Sequence, residues 1–240
     1  MPTIETPLSN TENPLAPLRA ELLADQVADH IVAAIARRRL VSGQRLIETD
    51  LAEALGVSRV PIREATRILA SQGIVVPTPR RGMRVANFDR AWGTQLHNAR
   101  VAIERLAAHI VAEKLKTDGQ ALNLLFERVV RIDREVRYPR DGWFSINQAD
   151  IAFHAAIFEI AGSPLLSTLW SAIARHVLIM FAIETYRDTE FERIAAEHHT
   201  YVEALQSGNP DLLDREIEDH VAGKQIFDTG MQGRSLGSAD

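Results

Sequence analysis

The stretch SGQRLIETDLAEALGVSRVPIREATRILASQGIVVPTPRRGMRV, residues 42–85, decides the architecture of the first part of this 240-residue chain. Ser42-Gly43 ends one helix and opens a loop. A short helix is predicted over Asp50–Leu55, closed by Gly56, and another from Ser58 to about Gln72. Ser58 can cap free backbone amides, and Pro61 costs little in a first turn, where its missing N–H would have no partner anyway. Ala52 lets two helices approach, Gly56 supplies a sharp turn four residues later, and Ile62, ten after Ala52, anchors the second helix in a core. A small residue, a glycine and an aliphatic at those offsets suit a helix-turn-helix. A generic helical hairpin meets the same spacing, so the next segment matters. Ile74-Val75-Val76 reads as a strand, Pro77 to Gly82 as a turn, and Met83-Arg84-Val85 as a returning strand. A helix-turn-helix followed directly by an arginine-rich hairpin is a winged helix-turn-helix with a small β-hairpin wing.

Working outward, Leu18–Arg39 has helical period, with Leu23, Val27, Ile31, Ala34 and Ile35 on one face. Residues 1–17 hold four prolines and lack the basic start and apolar stretch of a signal peptide, and Thr229–Asp240 is rich in Gly and Ser; both read as tails. Cysteine is absent, which excludes disulfides and thiolate metal sites and fits a cytoplasmic setting. No apolar run approaches the length of a membrane span, so no membrane partner is expected. The net charge of −5 is unevenly divided: residues 18–90 carry twelve Arg against eight acidic groups, and six Arg against one Glu lie between Arg59 and Arg84. That is either a solvated charged face or a local basic footprint for nucleic acid. Arg offers two parallel donors to guanine, which suits Arg59 and Arg63 at the start of the third helix; phosphate contacts from Arg80, Arg81 and Arg84 would set register. Arg67 could as easily pair with Glu64.

After a linker at residues 87–90, every segment has helical period. Six helices are predicted, about 92–117, 120–137, 143–161, 164–186, 190–207 and 210–229, with no strand. The chain therefore divides into a winged domain at 18–86 and an all-α bundle at 92–229, mainly α overall. Asp150 and His154, four apart, share the apolar face of one helix with Ile146 and Ile157. His198 lies with Ile194, Val202 and Leu205, and His220 with Leu213 and Ile217. Gly208-Asn209-Pro210 joins the last two helices, and His198 and His220 stand eleven residues either side of Asn209, each roughly 16 Å from the turn. An antiparallel hairpin sets them level; His199 points away. Lone buried imidazoles are usually hydrogen-bonded core residues, but three with an Asp match the N/O ligands of Zn²⁺, and also of Ni²⁺ or Mn²⁺. Arg100, between Leu96, Ile103 and Ala107, faces inward and needs an anion, either a ligand or Glu104. Arg175 and His176 are further candidates for lining a pocket.

The run quoted at the outset resembles the DNA-binding domain of GntR-family regulators, closest to the FadR-type branch; "GVSRVPIREA" and "RRGMRV" carry the likeness. It implies that Ser58, Arg59 and Arg63 touch bases or phosphates and that Gly82 is a wing tip reaching the minor groove. Many relatives have Arg after the Glu that begins the second helix; Thr49 follows Glu48 here, so the operator is expected to differ. The pattern "DIAFH…EHHTYVEALQSGNPDLLDREIEDH" is similar to the FCD ligand-binding domain, whose metal-binding members hold one ion with an Asp-x3-His and two later His; Asp150, His154, His198 and His220 fall on those positions. The likeness implies a homodimer on a near-palindromic operator, a repressor governed by a small carboxylate held at the metal near Arg100. Two rivals remain at this stage. One is a metal-dependent hydrolase, against which stands the lack of HExxH, GxSxG or a phosphate-binding glycine loop. The other is a scaffold protein with a purely structural metal.

Overall fold

The computed structural model describes residues 20–79, 82–185 and 191–222. Arg80 and Arg81, and the predicted tails, lie outside them. The first helix, α1 (Ala20–Ala36), is followed by β1 (Arg45–Leu46), α2 (Glu48–Leu55), α3 (Arg59–Ser71), β2 (Val75–Pro77) and β3 (Met83–Val85). Gly56 ends α2 in the left-handed conformation at φ 64°, which a Cβ would disfavour, and turns the chain into α3. Ile62 is fully buried, as its spacing from Ala52 requires, within a core of Val27, Ile31, Leu69, Ile74 and Val85. Two sequence expectations are corrected here. Ser58 occupies the N-cap position of α3, yet its side chain bonds no backbone amide. The wing is also three-stranded: β3 lies between β2 and β1, pairing Arg84 with Val76 on one side and Arg45 on the other. Two residues of β1 are too few to give an alternating pattern.

The second half contains α4 (Arg90–Leu115), α5 (Ala121–Arg137), β4 (Arg140–Asp141), α6 (Gly142–Ala161), α7 (Pro164–Thr185), α8 (Phe191–Ser207) and α9 (Pro210–Ala222). These agree with the six predicted helices over the described residues, the predicted end of the last helix at 223–229 lying outside them, and β4 adds a two-residue bridge where no strand was expected. Glu135, fully buried, holds that turn by accepting from Arg140 Nε at 2.6 Å. Asn209 caps α9 as expected, its Oδ1 accepting from the amides of Asp211 at 3.0 Å and Leu212 at 3.3 Å. The core is a layer of Phe153, Ile157, Trp170, Val177, Tyr201, Leu205 and Ile217.

Residues 87–90 are less of a free linker than the sequence suggests. Phe88 is buried in the core of the winged half, and Asp89 caps α4 through the amide of Trp92 at 3.0 Å. Trp92 packs against both apolar cores. The expectation that no segment is apolar enough to span a bilayer is also corrected: Pro164–Ile183 passes by length and composition, with mean hydropathy 1.6. In the fold this helix packs against α1, α4 and α6. Its Ile179 enters the core of the winged half, and its central Arg175 and His176 are engaged by polar partners.

Candidate functional site

Ser58, Arg59 and Arg63 stand exposed at the N-terminal part of α3. The two arginines converge on Glu48 at the start of α2, Arg63 Nε at 2.8 Å and Arg59 Nη2 at 3.4 Å. The Arg63 hydrogen bond, aided by Arg59, holds the Glu48 carboxyl below its usual range. Glu48 thus keeps the two guanidinium groups side by side on one face. Arg67 is paired instead with Glu64 at 2.6 Å. On the wing, Arg84 is exposed, and Gly82 has φ +109°, a backbone state that side chains disfavour. A Cβ at Gly82 would stand 3.5 Å from Arg45 Nε. Arg45 therefore joins the basic edge, which the sequence reading missed because β1 was not foreseen.

Inside the bundle, α6, α8 and α9 bring His154, His198 and His220 together, with one nitrogen of each within 4.8 Å of the others. The His198 and His220 rings lie 4.6 Å apart between centroids, as expected of positions level across a hairpin. His220 Nε2 is 3.2 Å from His154 Nε2. Asp150 reaches the same space: its Oδ1 is 3.4 Å from His154 Nε2 and its Oδ2 is 3.6 Å from His198 Nε2. Ligand atoms around a tetrahedral ion at about 2.0–2.1 Å stand roughly 3.4 Å from one another, so this spacing fits a divalent cation. Asp150 Oδ1 and His198 Nε2 are buried without a hydrogen-bond partner, which costs free energy unless something satisfies them. His199, by contrast, is exposed and faces Asp133 at 3.1 Å.

Ring orientation is fixed from behind. His198 Nδ1 contacts the Ile194 carbonyl at 2.6 Å, leaving Nε2 for the cluster. His154 Nδ1 lies 2.7 Å from Glu104 Oε2, an ion-pair contact outside hydrogen-bond geometry, and its Nε2 faces inward. Glu104 also accepts from Arg100 Nε at 2.6 Å, and Arg100 Nη2 lies 3.1 Å from His154 Nε2. Of the two readings of Arg100, the pairing with Glu104 is present, and the guanidinium also lies beside His154. Burial opposes the Glu104 charge, but Arg100 and His154 outweigh it and hold the carboxyl ionised. Burial pushes the His154 and His220 imidazoles down, His220 further because His198 adds repulsion. Burial also opposes charge on His198, but the Asp150 carboxylate prevails and raises it. Tyr201, fully buried beside His154 and His220, has an unpartnered hydroxyl and was not foreseen. Its place three residues after His198 on the same face was the available signal.

Arg175 and His176 do not join this cluster. Arg175 donates to Asp29 at 2.9 Å and Asp25 at 3.0 Å, both on α1. His176 Nε2 lies 2.7 Å from the Gln72 carbonyl, and its Nδ1 lies 3.1 Å from Trp92 Nε1. Helical periodicity told that α7 was apolar; it could not tell that one side of α7 faces the winged half. Burial pushes the His176 imidazole below its ordinary value, against the pull of the Gln72 carbonyl. The unfolded chain therefore binds this proton more readily. Stability from the contact is complete above about pH 6.5 and is lost as pH falls through the lower folded value. Thermal melts from about pH 7 to about pH 5 are expected to lose less stability in His176→Phe than in the wild type; equal losses would contradict this. His154 and His220 contribute with the same sign to both proteins, so the difference isolates His176.

An arginine-bearing helix beside a short-stranded wing, joined to a helical bundle with polar groups at its centre, is the architecture of a DNA-binding regulator with a second, helical domain. The chain belongs to the GntR family: residues 23–85 match "Bacterial regulatory proteins, gntR family" and residues 95–223, over half the chain, match the FCD domain. It is 28% identical over 204 residues to the "Probable D-xylose utilization operon transcriptional repressor" of Paenarthrobacter nicotinovorans, covering 83% of this chain and 86% of that one. It is 28% identical over 211 residues to the "Gluconate operon transcriptional repressor" of Bacillus licheniformis, covering 80% and 83%. Among solved structures, E. coli McbR/YncC superposes with a TM-score of 0.67 at 21% identity, over 83% of this chain and 93% of that one, a likeness of fold. The chain is thus a transcriptional regulator and not an enzyme.

Proposed function

We propose that this regulator senses a small organic acid at a divalent metal, with Zn²⁺ favoured over Ni²⁺ or Mn²⁺, held by Asp150, His154, His198 and His220. The observation carrying this reading is the convergence of three buried imidazoles within 4.8 Å beside a buried carboxylate with an unpartnered oxygen. Three His and one carboxylate are ligands of the right hardness for zinc. The ion would supply a positive centre for a carboxylate, and Arg100, already 3.1 Å from His154, would bind the same anion. Gluconate, in the name of one relative, is an acid of this kind. On the DNA side, Ser58, Arg59 and Arg63 read the major groove while Arg80, Arg81, Gly82 and Arg84 follow the backbone and minor groove. The protein works as a homodimer on a near-palindromic operator, as a repressor in the cytoplasm, with the acid shifting the balance between dimer geometries.

Metal-free protein titrated with zinc is expected to take up about one ion per chain and to melt at a higher temperature. A panel of mono-, di- and tricarboxylates and sugar acids should then give a further shift only in the zinc-loaded protein. Zinc uptake unchanged in His154→Ala combined with His220→Ala would remove the site. Zinc binding with no response to any acid would leave a purely structural metal.

A further inference from the structure

Among the described residues, Arg175 and His176 of α7 hold the winged half through Asp25, Asp29 and Gln72, Arg37 of α1 pairs with Asp141, and Trp92 of α4 joins this seam through His176. Trp92 Nε1 can only donate, so His176 Nδ1 must accept at 3.1 Å. In the neutral ring Nε2 then carries the proton and donates to the Gln72 carbonyl at 2.7 Å. Gln72 is the C-cap of α3, and its carbonyl lies at a helix end, where acceptors lack a partner within the helix. The donor order Trp92 to His176 to Gln72 is therefore fixed, and it ends on the helix that bears Arg59 and Arg63.

Followed the other way, the same two helices reach the histidine cluster. On α4, Arg100 and Glu104 lie against His154 at 3.1 and 2.7 Å. On α7, the Trp170 ring is 6.0 Å from that of His154, and Phe181 lies 5.0 Å from the Arg100 guanidinium. His176 sits between Trp170 and Phe181 in sequence. Arg175, beside it, forks onto Asp25 and Asp29 and holds α1 to the same helix. A shift of α4 relative to α7 at the cluster would load the bond between Trp92 and His176, because one partner rides on each helix.

We infer that Trp92 and His176 are positioning residues that transmit the state of the histidine cluster to the recognition helix, through the hydrogen bond to the Gln72 carbonyl. This rests on the metal reading above. The test is amide hydrogen exchange on the full-length protein, with and without zinc, in the wild type, Trp92→Phe and His176→Phe. Trp92→Phe keeps a ring in both cores and removes only the donor, so it guards against a folding failure. In the wild type, zinc should protect α6, α8 and α9 and also change exchange at Ser71–Val75 by about fivefold or more, the lower end of common coupling energies. In both variants zinc should still protect α6, α8 and α9, while the zinc-dependent change at Ser71–Val75 disappears. A merely structural role would raise exchange there equally with and without zinc, and that result overturns the inference. So does an undiminished zinc response in the variants, or zinc loading of the wild type with no response at Ser71–Val75. Failure of the wild type to take up zinc overturns the metal reading itself, and this inference with it, and is recognised by the unprotected α6, α8 and α9.

Discussion

Glu104→Ala is expected to cost about 3–5 kcal/mol, the largest single loss in the helical half. The side chain is fully buried and accepts from Arg100 Nε at 2.6 Å while facing His154 Nδ1 at 2.7 Å. Alanine removes the carboxylate paired with a guanidinium that is itself 1% exposed, and water cannot easily replace it. The penalty is mostly that of the cation left behind, not the worth of the pair. A chain of this size should melt about 10 °C lower. Two companion variants separate the causes. Arg100→Met with Glu104→Leu replaces both charges by apolar volume and should recover much of the stability. It should still bind zinc more weakly, because His154 has lost the carboxylate beside its Nδ1. Denaturant melts and zinc titrations of the three proteins check this. A Glu104→Ala protein as stable as the wild type would mean that Arg100 finds another anion.

Arg63→Ala is expected to weaken specific DNA binding by about 1–3 kcal/mol, roughly five- to 150-fold, with folding intact. Arg63 is 53% exposed on its side chain, so its loss leaves no buried hole. In the free protein its Nε is held by Glu48 at 2.8 Å, which keeps the fork extended and limits the entropy lost on docking. Arg67→Ala is the internal control: Arg67 stands one turn further along α3 from its N-terminal end, and its removal should change affinity little. The measurement is a binding titration on a fragment selected by the wild type from random DNA, at fixed salt, since phosphate contacts make affinity salt-dependent. Equal affinities for wild type and Arg63→Ala would take the recognition helix out of the account.

Helix positions were legible because apolar residues recur every three or four places, and turns because Gly56 and Gly208-Asn209-Pro210 punctuate them. The pairing of His198 with His220 was legible for a geometric reason: a hairpin makes equal distances from its turn level. Contacts between the two halves were not. Nothing in the period of α7 distinguishes residues facing α4 from those facing α1, so Arg175 and His176 read as pocket residues. Trp92 read as a first helical residue after a linker, although it packs into both cores. Glu104 was visible as the partner of Arg100, but its second contact, with His154, joins residues fifty apart in the chain, and only packing reveals it.

The chain contains three tryptophans, and each stands at a different joint. Trp92 bonds His176 where the halves meet, Trp143 packs where α1 meets α6, and Trp170 stacks on Phe158 within 6.0 Å of the His154 ring. Indole emission responds to local polarity and quenching, so the protein carries its own optical gauges. Variants retaining one indole apiece would let an observer watch domain docking, the inter-half seam and the imidazole cluster separately, without attaching any dye.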